Sequence, residues 1–375
     1  MKHPEFPLSD ELIYLNHAAV APWPKRTRDA VIQFAEQNCK FGSHFYLDWL
    51  RKEAELRQQL KTLINAPSVD DIALVKNTSE ALSFVAYGLP WHAGDNIVSS
   101  NEEFPSNRLP WQSLAGQGVE FRQADLAGTG DPEDALFALV DSRTRLLTIS
   151  SIQFASGMRM DLERIGNFCK QRNILFCIDA IQSIGAVQFD VQAYHADFVM
   201  ADGHKWMFGP EGLGLFYTKP EARDRLKLTQ FGWHMMKDTH NYENKPWEAH
   251  PSSRRFECGS PNMLGIHALS ASVSLLLELG METIESQVIE RSEYLKNAIN
   301  ANEQLKLLTK PNDTLKSGIV VFKHRATANE VIYEHLQQNG VICAMRGGGI
   351  RFSPHFYNAF AEIDRAVALA SGNIN

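Results

Sequence analysis

The sequence is organised around one stretch, which runs Asp197-Phe198-Val199-Met200-Ala201-Asp202-Gly203-His204-Lys205-Trp206-Met207-Phe208-Gly209-Pro210. Its apolar start, Phe198 to Ala201, predicts a buried strand, and a second strand-like run follows at Leu213-Gly214-Leu215-Phe216-Tyr217. Lys205 lies in the polar turn between the two strands. Burial there would lower the pKa of this lysine and favour its neutral, nucleophilic amine. The turn alone is equally compatible with a solvated lysine at a strand end.

A second apolar run ends in a carboxylate and reads Ile174-Leu175-Phe176-Cys177-Ile178-Asp179-Ala180-Ile181-Gln182-Ser183. An aspartate at the end of a parallel strand lies at the carboxyl edge of the sheet, where α/β proteins bind ligands. Pyridoxal phosphate requires a lysine for its Schiff base and an acidic partner for its pyridine nitrogen. Asp179 alone would more simply cap the next helix, whereas Asp179 and Lys205 together indicate this cofactor.

Further motifs occur in order over nearly the whole chain: Tyr14-Leu15-Asn16-His17-Ala18-Ala19, Asn77-Thr78-Ser79-Glu80-Ala81, Glu103-Phe104-Pro105-Ser106-Asn107 and Arg255-Phe256-Glu257-Cys258-Gly259-Ser260-Pro261-Asn262. With the two stretches above, they resemble the class V aminotransferase family of fold-type-I pyridoxal-phosphate enzymes. That family includes cysteine desulfurases and isopenicillin N epimerase-like proteins.

The resemblance implies an α/β fold in two parts. Residues 15–240 would form a large cofactor-binding domain, with a mostly parallel, seven-stranded-type sheet flanked by helices. Residues 241–375 would form the crossover and a small C-terminal α+β domain, with residues 1–14 packed nearby. The strand–helix alternation from Asp71 onward separately favours a parallel sheet covered on both faces. The polar, irregular segment from Gln230 to Ser253 would connect the domains.

The resemblance also assigns roles to residues around the cofactor. Lys205, Asp179 and His204 are the expected catalytic residues. Thr78 and Ser79 open a helix, whose free N–H groups would bind the phosphate, although plain helix capping needs the same residue types. The expected cofactor-binding set is completed by the side chains of Phe104, Gln153, Gln182 and Ser260. No cofactor role is assigned to Asp202, because a carboxylate beside a phosphate is unfavourable.

Two of these expectations reach beyond a single cofactor contact. Phe104 stands where many relatives carry a ring-stacking histidine; it can stack on a pyridine ring but cannot transfer a proton. Ser260 would contact the phosphate of a neighbouring subunit's cofactor, which implies a homodimer with shared active sites. Helix capping is the alternative for Ser260.

The expected substrate is a small-molecule amino acid. Arg351 matches the arginine that holds the α-carboxylate in the family, a task that suits a planar guanidinium. Asn16 and His17 are expected substrate contacts, with a surface turn as the alternative.

Composition limits the remaining function classes. The chain has 375 residues, a length that fits two domains. A net charge of −7 argues against a broad nucleic-acid-binding face, and no run reaches transmembrane length. The five scattered cysteines predict reduced thiols in the cytoplasm and no metal site.

These observations favour proton transfer by Lys205 at Cα of an amino acid, in an aminotransferase or an isopenicillin N epimerase-like enzyme. The first alternative is a cysteine desulfurase or C–S (selenocysteine) lyase. Desulfurases need a thiolate on a mobile loop, whereas Cys343 lies in an apolar run just before Arg346-Gly347-Gly348-Gly349. The second alternative, a non-catalytic dimeric scaffold, is disfavoured by the intact Lys205, Asp179 and His204.

Overall fold

The N-terminal part of the chain supplies a short strand and two helices. The structure, a computed structural model, describes residues 3–372 except 129, 240, 242, 244–246 and 311–313, so part of the expected connection from Gln230 to Ser253 lies outside the described residues. The N-terminal elements are β1 (Ile13–Tyr14), α1 (Lys25–Phe41) and α2 (Tyr46–Leu63). Leu56, Leu60 and Leu63 of α2 are buried, which is the spacing of one helix face packed on a core.

Seven strands form the large sheet: β2 (Ile72–Val75), β3 (Asn96–Ser100), β4 (Glu120–Ala124), β5 (Thr144–Ser150), β6 (Leu175–Asp179), β7 (Phe198–Asp202) and β8 (Gly214–Thr218). Their spatial order is β2-β8-β7-β6-β5-β3-β4. β8 is antiparallel to both neighbours, and the other pairings are parallel. The predicted mostly parallel seven-stranded sheet is confirmed.

Helices cover both faces of this sheet: α3 (Thr78–Gly88), α4 (Leu109–Gln112), α5 (Pro132–Phe137), α6 (Leu162–Arg172) and α7 (Pro220–Arg223). Along β6, Phe176 and Ile178 join one hydrophobic core and Cys177 joins the other, as the two-residue period of a strand requires. The apolar strands were predicted because they are buried on both faces. β4 was not, since it is a largely exposed edge strand with only Ala124 buried.

Two long helices, α8 (Met263–Leu279) and α9 (Met281–Asn300), lead to the C-terminal part of the chain. Its elements are β9 (Leu305–Leu307), β10 (Val320–His324), α10 (Asn329–Gln338), β11 (Val341–Ile342), β12 (Ala344–Arg346), β13 (Gly349–Phe352) and α11 (Phe360–Ser371). The order β12-β13-β10-β9 makes a four-stranded antiparallel sheet. β1 pairs in parallel with β11, so the N-terminal strand joins this C-terminal core.

The helices were also compared with the length and composition of a membrane span. Within the described residues, no helix qualifies when taken singly; only α8 and α9 together, bent by 85° at their junction, meet the criteria.

Candidate active site

A cavity of about 270 Å³ lies where the ends of β5, β6 and β7 meet the start of α3 and the β12–β13 hairpin. Its lining brings together eight residues to which the sequence analysis gave a site role: Thr78, Ser79, Phe104, Asp179, Gln182, His204, Lys205 and Arg351. The carboxyl edge of a parallel sheet is the expected place for such a cavity. The eight residues come from distant parts of the chain, so the fold alone assembles them.

Lys205 lies in a turn whose backbone is held on several sides. Gly209 N donates to Gly203 O (2.8 Å) and Phe208 N donates to Lys205 O (3.0 Å), while Ala21 N donates to His204 O (2.8 Å). The amine is buried but borders the cavity, and this burial lowers the pKa of Lys205 to about 8. Among the described residues Lys205 forms no ion pair. Its amine can therefore be neutral near physiological pH and free to react.

Asp179 is the last residue of β6 and is almost fully buried. Its Oδ1 accepts a hydrogen bond from Ile181 N (3.1 Å). Desolvation raises the pKa of Asp179 to about 7, and the nearby charge of Lys205 opposes that rise. Asp179 and Lys205 border the same cavity, and among the described residues they form no ion pair with each other.

The start of α3 offers donors to an anion. The Asn77 side chain caps this helix by accepting from Glu80 N (2.9 Å), so capping, the alternative role for Thr78 and Ser79, is filled by Asn77. Thr78 is the first residue of the helix, and its buried Oγ1 has no hydrogen-bond partner. Ser79 Oγ donates to Ser106 Oγ (2.8 Å), and both serines border the cavity. A helix N-terminus with two hydroxyls beside it suits a phosphate.

His204 and Asp202 lie side by side on the same wall. Asp202 Oδ1 accepts from its neighbour Gly203 N (3.0 Å), which ties the carboxylate to the backbone. His204 Nδ1 is 3.3 Å from Asp202 Oδ1, but the geometry does not make a hydrogen bond, so this buried nitrogen has no partner. The His204 side chain as a whole borders the cavity.

Phe104 presents its ring to the amine of Lys205, with Nζ 5.7 Å from the ring centroid. The neighbouring Glu103 is buried and accepts hydrogen bonds from Ser150 N (2.9 Å), Gln153 Nε2 (2.9 Å) and Asn107 Nδ2 (2.8 Å). This buried network fixes the backbone just before Phe104. It holds the exposed aromatic ring at the cavity, where it can cover a flat ligand.

Arg351 is an almost completely buried arginine on β13. Its Nη1 donates to Phe154 O (2.7 Å), whereas Nε has no partner. Desolvation, with a smaller contribution from Arg346, lowers the pKa of Arg351 to about 10. The guanidinium thus stays charged at neutral pH and has a free donor for an anion.

Gln182 borders the cavity but uses both ends of its amide inside the protein. Nε2 donates to Ala18 O (3.0 Å), and Oε1 accepts from Trp206 Nε1 (2.8 Å). Gln182 thereby connects the N-terminal wall of the cavity to the turn that carries Lys205.

Four residues predicted as site residues do not border this cavity. Gln153 is fully buried and bonded to Glu103, and Asn16 contacts Ser353 through a β-bridge. His17 is fully buried, with Nδ1 2.8 Å from Ser353 O and Nε2 2.6 Å from the Tyr357 hydroxyl. Ser260 borders a second cavity, of about 280 Å³. Within one chain, none of these four side chains faces the cavity that Lys205 and Asp179 border.

Sequence reasoning missed several residues that border the cavity, among them Ser106, Ser150, Phe154 and Arg346. Ser106 and Arg346 lie inside stretches already singled out. In a turn or at the end of a strand, the regular alternation of inward-facing and outward-facing side chains is lost. The sequence therefore does not show which side chains there face the cavity, and the structure does.

All five cysteines are free, and none borders the cavity. Cys343, which lies between β11 and β12, is buried, and desolvation raises the pKa of its thiol to about 12. A buried thiol with a raised pKa is a poor nucleophile.

The expected pyridoxal phosphate can be tested against unpaired donors. Thr78 Oγ1, His204 Nδ1 and Arg351 Nε are buried, lack a partner and belong to residues of one cavity. Each can donate a hydrogen bond, so together they suit the oxygens of anionic groups. With Lys205 for the aldehyde, Asp179 for a ring nitrogen and Phe104 for the ring face, the residues fit this cofactor.

Comparison with known proteins gives consistent matches along the chain. The family profile described as "Aminotransferase class-V" matches residues 13–366. A probable cysteine desulfurase of Methanothermobacter thermautotrophicus is 32% identical, over 96% of this chain and 94% of the relative. A cysteine desulfurase of Yersinia pestis is 30% identical, over 95% of this chain and 92% of the relative.

Solved structures match the fold over almost its full length. The apo structure of a cysteine desulfurase from Thermococcus onnurineus NA1 has a TM-score of 0.88 at 24% identity, covering 98% of this chain and 96% of that one. A variant of C-DES with glycine covalently linked to its PLP cofactor has a TM-score of 0.91 at 23% identity, covering 98% and 99% of the two chains.

Proposed function

The chain belongs to the class-V aminotransferase family, and from that membership we propose that it acts at Cα of an amino acid, as an aminotransferase or an isopenicillin N epimerase-like enzyme. It is an enzyme that depends on pyridoxal 5'-phosphate. When bound, this cofactor supplies an electron sink that stabilises the negative charge left at Cα after a proton departs.

The protein's own residues divide the remaining tasks. Lys205 would hold the cofactor and, once released as a neutral amine, would take the Cα proton and return it. Asp179 would keep the pyridine nitrogen protonated, Phe104 would cover the ring, and Thr78, Ser79 and His204 would hold the phosphate. Arg351 binds the α-carboxylate, which orients the Cα–H bond toward the lysine.

The observation that carries this proposal is the lack of a thiol at the site. No cysteine is among the described residues that border the cavity, and Cys343 is buried with a raised thiol pKa. Where the resemblance expects a mobile loop, β12 and β13 are joined by Gly347 and Gly348 alone, both with positive φ. That two-residue turn leaves no loop to carry a sulfur acceptor.

The experiment is a screen of amino acids for a change in the visible absorbance of the cofactor-loaded enzyme. For each amino acid that responds, keto-acid formation with an added acceptor is compared with loss of optical rotation. Keto acid indicates an aminotransferase, and loss of rotation without keto acid indicates an epimerase. Lys205→Ala must abolish both. Turnover that survives this substitution, or no response from any amino acid, would overturn the proposal.

A C–S lyase is the second candidate, because the curated relatives at 30–32% identity are cysteine desulfurases. It is tested by incubating the enzyme with cysteine or cysteine sulfinate. With cysteine and an added dithiol to reduce the enzyme persulfide, rapid sulfide release that Cys343→Ala abolishes would replace the proposed function with desulfurase chemistry. Release unaffected by Cys343→Ala would instead indicate a lyase that needs no protein thiol.

We further propose that the working enzyme is a cytoplasmic homodimer in which Ser260 contacts the partner's cofactor phosphate. The Ser260 contact is supported by its position in a second cavity of its own chain, which Lys205 does not border. The cytoplasmic location is supported by the five free thiols. Sedimentation gives the oligomeric state. Ser260→Ala should weaken cofactor binding in the dimer, and a monomer with full cofactor affinity would contradict this arrangement.

A further inference from the structure

Arg346 and Arg351 lie on one face of the β12–β13 hairpin. In this antiparallel pair Ala344 is opposite Arg351, and Arg346 is two residues beyond Ala344 on the same strand. Residues opposite each other share a face, and so do residues two apart. The two arginines are therefore diagonal neighbours, whose Cβ atoms are about 7 Å apart in such a ladder. Both border the active-site cavity.

Neither arginine has an acidic partner in the part of the chain that the structure describes. Arg346 Nη1 donates to Met345 O (2.8 Å), and Arg351 Nη1 donates to Phe154 O (2.7 Å). The charge of Arg346 contributes to the lowered pKa of Arg351, so the two cations repel each other. Arg57, Arg159 and Arg223, in contrast, each contact a carboxylate. The buried Arg351 therefore has a donor free for an anionic group of a ligand, and the exposed Arg346 beside it places a second cation on the same wall.

We propose that Arg346 binds an anionic group on the substrate's side chain, so that the enzyme prefers acidic amino acids. This inference rests on the proposed function, in which Arg351 takes the α-carboxylate. In that proposed function the cofactor phosphate is bound by the α3 N-terminus with Thr78 and Ser79, and by His204. These residues belong to the large-sheet side of the cavity, opposite the β12–β13 hairpin. On the hairpin, Arg351 is assigned to the α-carboxylate, so Arg346, at the exposed end of β12, is the charged side chain that has no assigned ligand group.

The kinetic test compares matched acidic and neutral substrates, aspartate with asparagine and glutamate with glutamine. The wild-type enzyme should favour the acidic member of at least one pair by about tenfold in kcat/KM, as a charge-assisted hydrogen bond would give. Arg346→Gln should remove this preference mainly through KM for the acidic substrate. Arg145→Gln, at an exposed position on β5, removes the same charge away from the cavity and should retain the preference.

A binding test separates this inference from the proposed function. Calorimetry of the cofactor-loaded enzyme should show succinate binding at least about tenfold more tightly than butyrate, and Arg346→Gln should abolish the difference. Equal binding of the two acids, or a preference unchanged by Arg346→Gln, would overturn the role of Arg346. If succinate is preferred but no amino acid reacts, the proposed reaction fails while the role of Arg346 stands.

Discussion

Burial accounts for the chemistry of the Lys205 amine. Desolvation is the largest cause of its lowered pKa, and the nearby Asp179 charge acts in the opposite direction. The lysine is therefore prepared for reaction before any ligand binds, because less of its amine is protonated near neutral pH. Asp179, whose pKa burial raises to about 7, is largely ionised above that pH.

Competitive labelling with acetic anhydride should measure this effect in the cofactor-free protein. Only the neutral amine reacts, so the labelling rate of Lys205 should rise with pH and reach its midpoint at about 8. Peptide mass spectrometry follows the rate, with the exposed Lys170 as an internal reference for the reagent. A labelling midpoint close to that of an ordinary lysine, near 10.4, would contradict a desolvated amine.

Replacing Asp179 with Asn should move the labelling midpoint of Lys205 to lower pH. The sign follows from charge: ionised Asp179 stabilises the ammonium form, so its loss leaves desolvation less opposed. The same labelling experiment measures the shift. A midpoint that moves to higher pH would mean that the two side chains interact through something other than charge.

At the scale of single elements, the start of α3 separates ligand binding from helix stability. Asn77 caps the helix through Glu80 N, whereas the buried Thr78 hydroxyl contributes no hydrogen bond to the fold. A buried hydroxyl without a partner costs about 1–3 kcal/mol. It is retained at a place where a phosphate would pair with it.

Thr78→Val and Asn77→Ala should therefore have opposite effects. Thr78→Val removes an unpaired hydroxyl at nearly constant shape, so the cofactor-free protein should be at least as stable as the wild type while cofactor affinity falls. Asn77→Ala should lower the free energy of unfolding by about 1 kcal/mol through the lost cap. Urea unfolding and cofactor titration measure the two quantities. A large loss of stability in Thr78→Val would show that its hydroxyl serves the fold.

The β12–β13 hairpin offers a second matched pair, Gly347 and Gly348. Both have positive φ, at 62° and 76°, which suits the tight turn of a two-residue hairpin. A Cβ on Gly347 would collide with the carbonyl of Ala155, whereas one on Gly348 would meet no atom within 4 Å. Of the two glycines, Gly347 is therefore the one that packs closely against the backbone of Ala155.

Gly347→Ala should raise KM for the amino acid substrate by about tenfold or more, because it displaces the strand pair that carries Arg351. Gly348→Ala shares the strain of a positive φ, about 1 kcal/mol, without the collision, and should leave KM within about twofold. Steady-state kinetics and thermal melting of both variants make the comparison. Equal effects on KM would indicate that turn strain alone, and not docking on Ala155, governs the hairpin.

At the scale of the whole molecule, the sequence predicts the sheet better than it predicts the details of the site. Strands such as β6 and β7 are continuous apolar runs, and their terminal Asp179 and the following Lys205 are fixed by where the runs end. The direction of the Gln153 side chain could not be predicted in this way, because it is set by a hydrogen bond that Gln153 donates to the buried Glu103. The position of His17 likewise depends on contacts with Ser353 and Tyr357, far away in the chain, which no local pattern contains.

Arg57 connects three parts of the molecule through a buried ion cluster. From α2 it contacts both carboxylate oxygens of Glu257 (2.6 Å each) and Oε1 of Glu53 (2.6 Å). Glu257 also accepts from Leu74 N (2.8 Å) on β2, the edge strand of the large sheet. The cluster thereby pairs a backbone donor of the sheet edge and anchors the segment that leads to Ser260 and α8.

Arg57→Met should lower the free energy of unfolding by about 3–5 kcal/mol, since it leaves two buried carboxylates without their cation. Adding Glu257→Gln to that variant should recover part of the loss, because one of the uncompensated charges is then gone. Lys52→Met, which breaks the half-exposed pair with Glu55, serves as the control and should cost no more than about 1 kcal/mol. Urea unfolding of the four proteins measures the effects. If Arg57→Met costs no more than Lys52→Met, the cluster does not hold these three parts together, and the segment carrying Ser260 must be positioned by its apolar contacts instead.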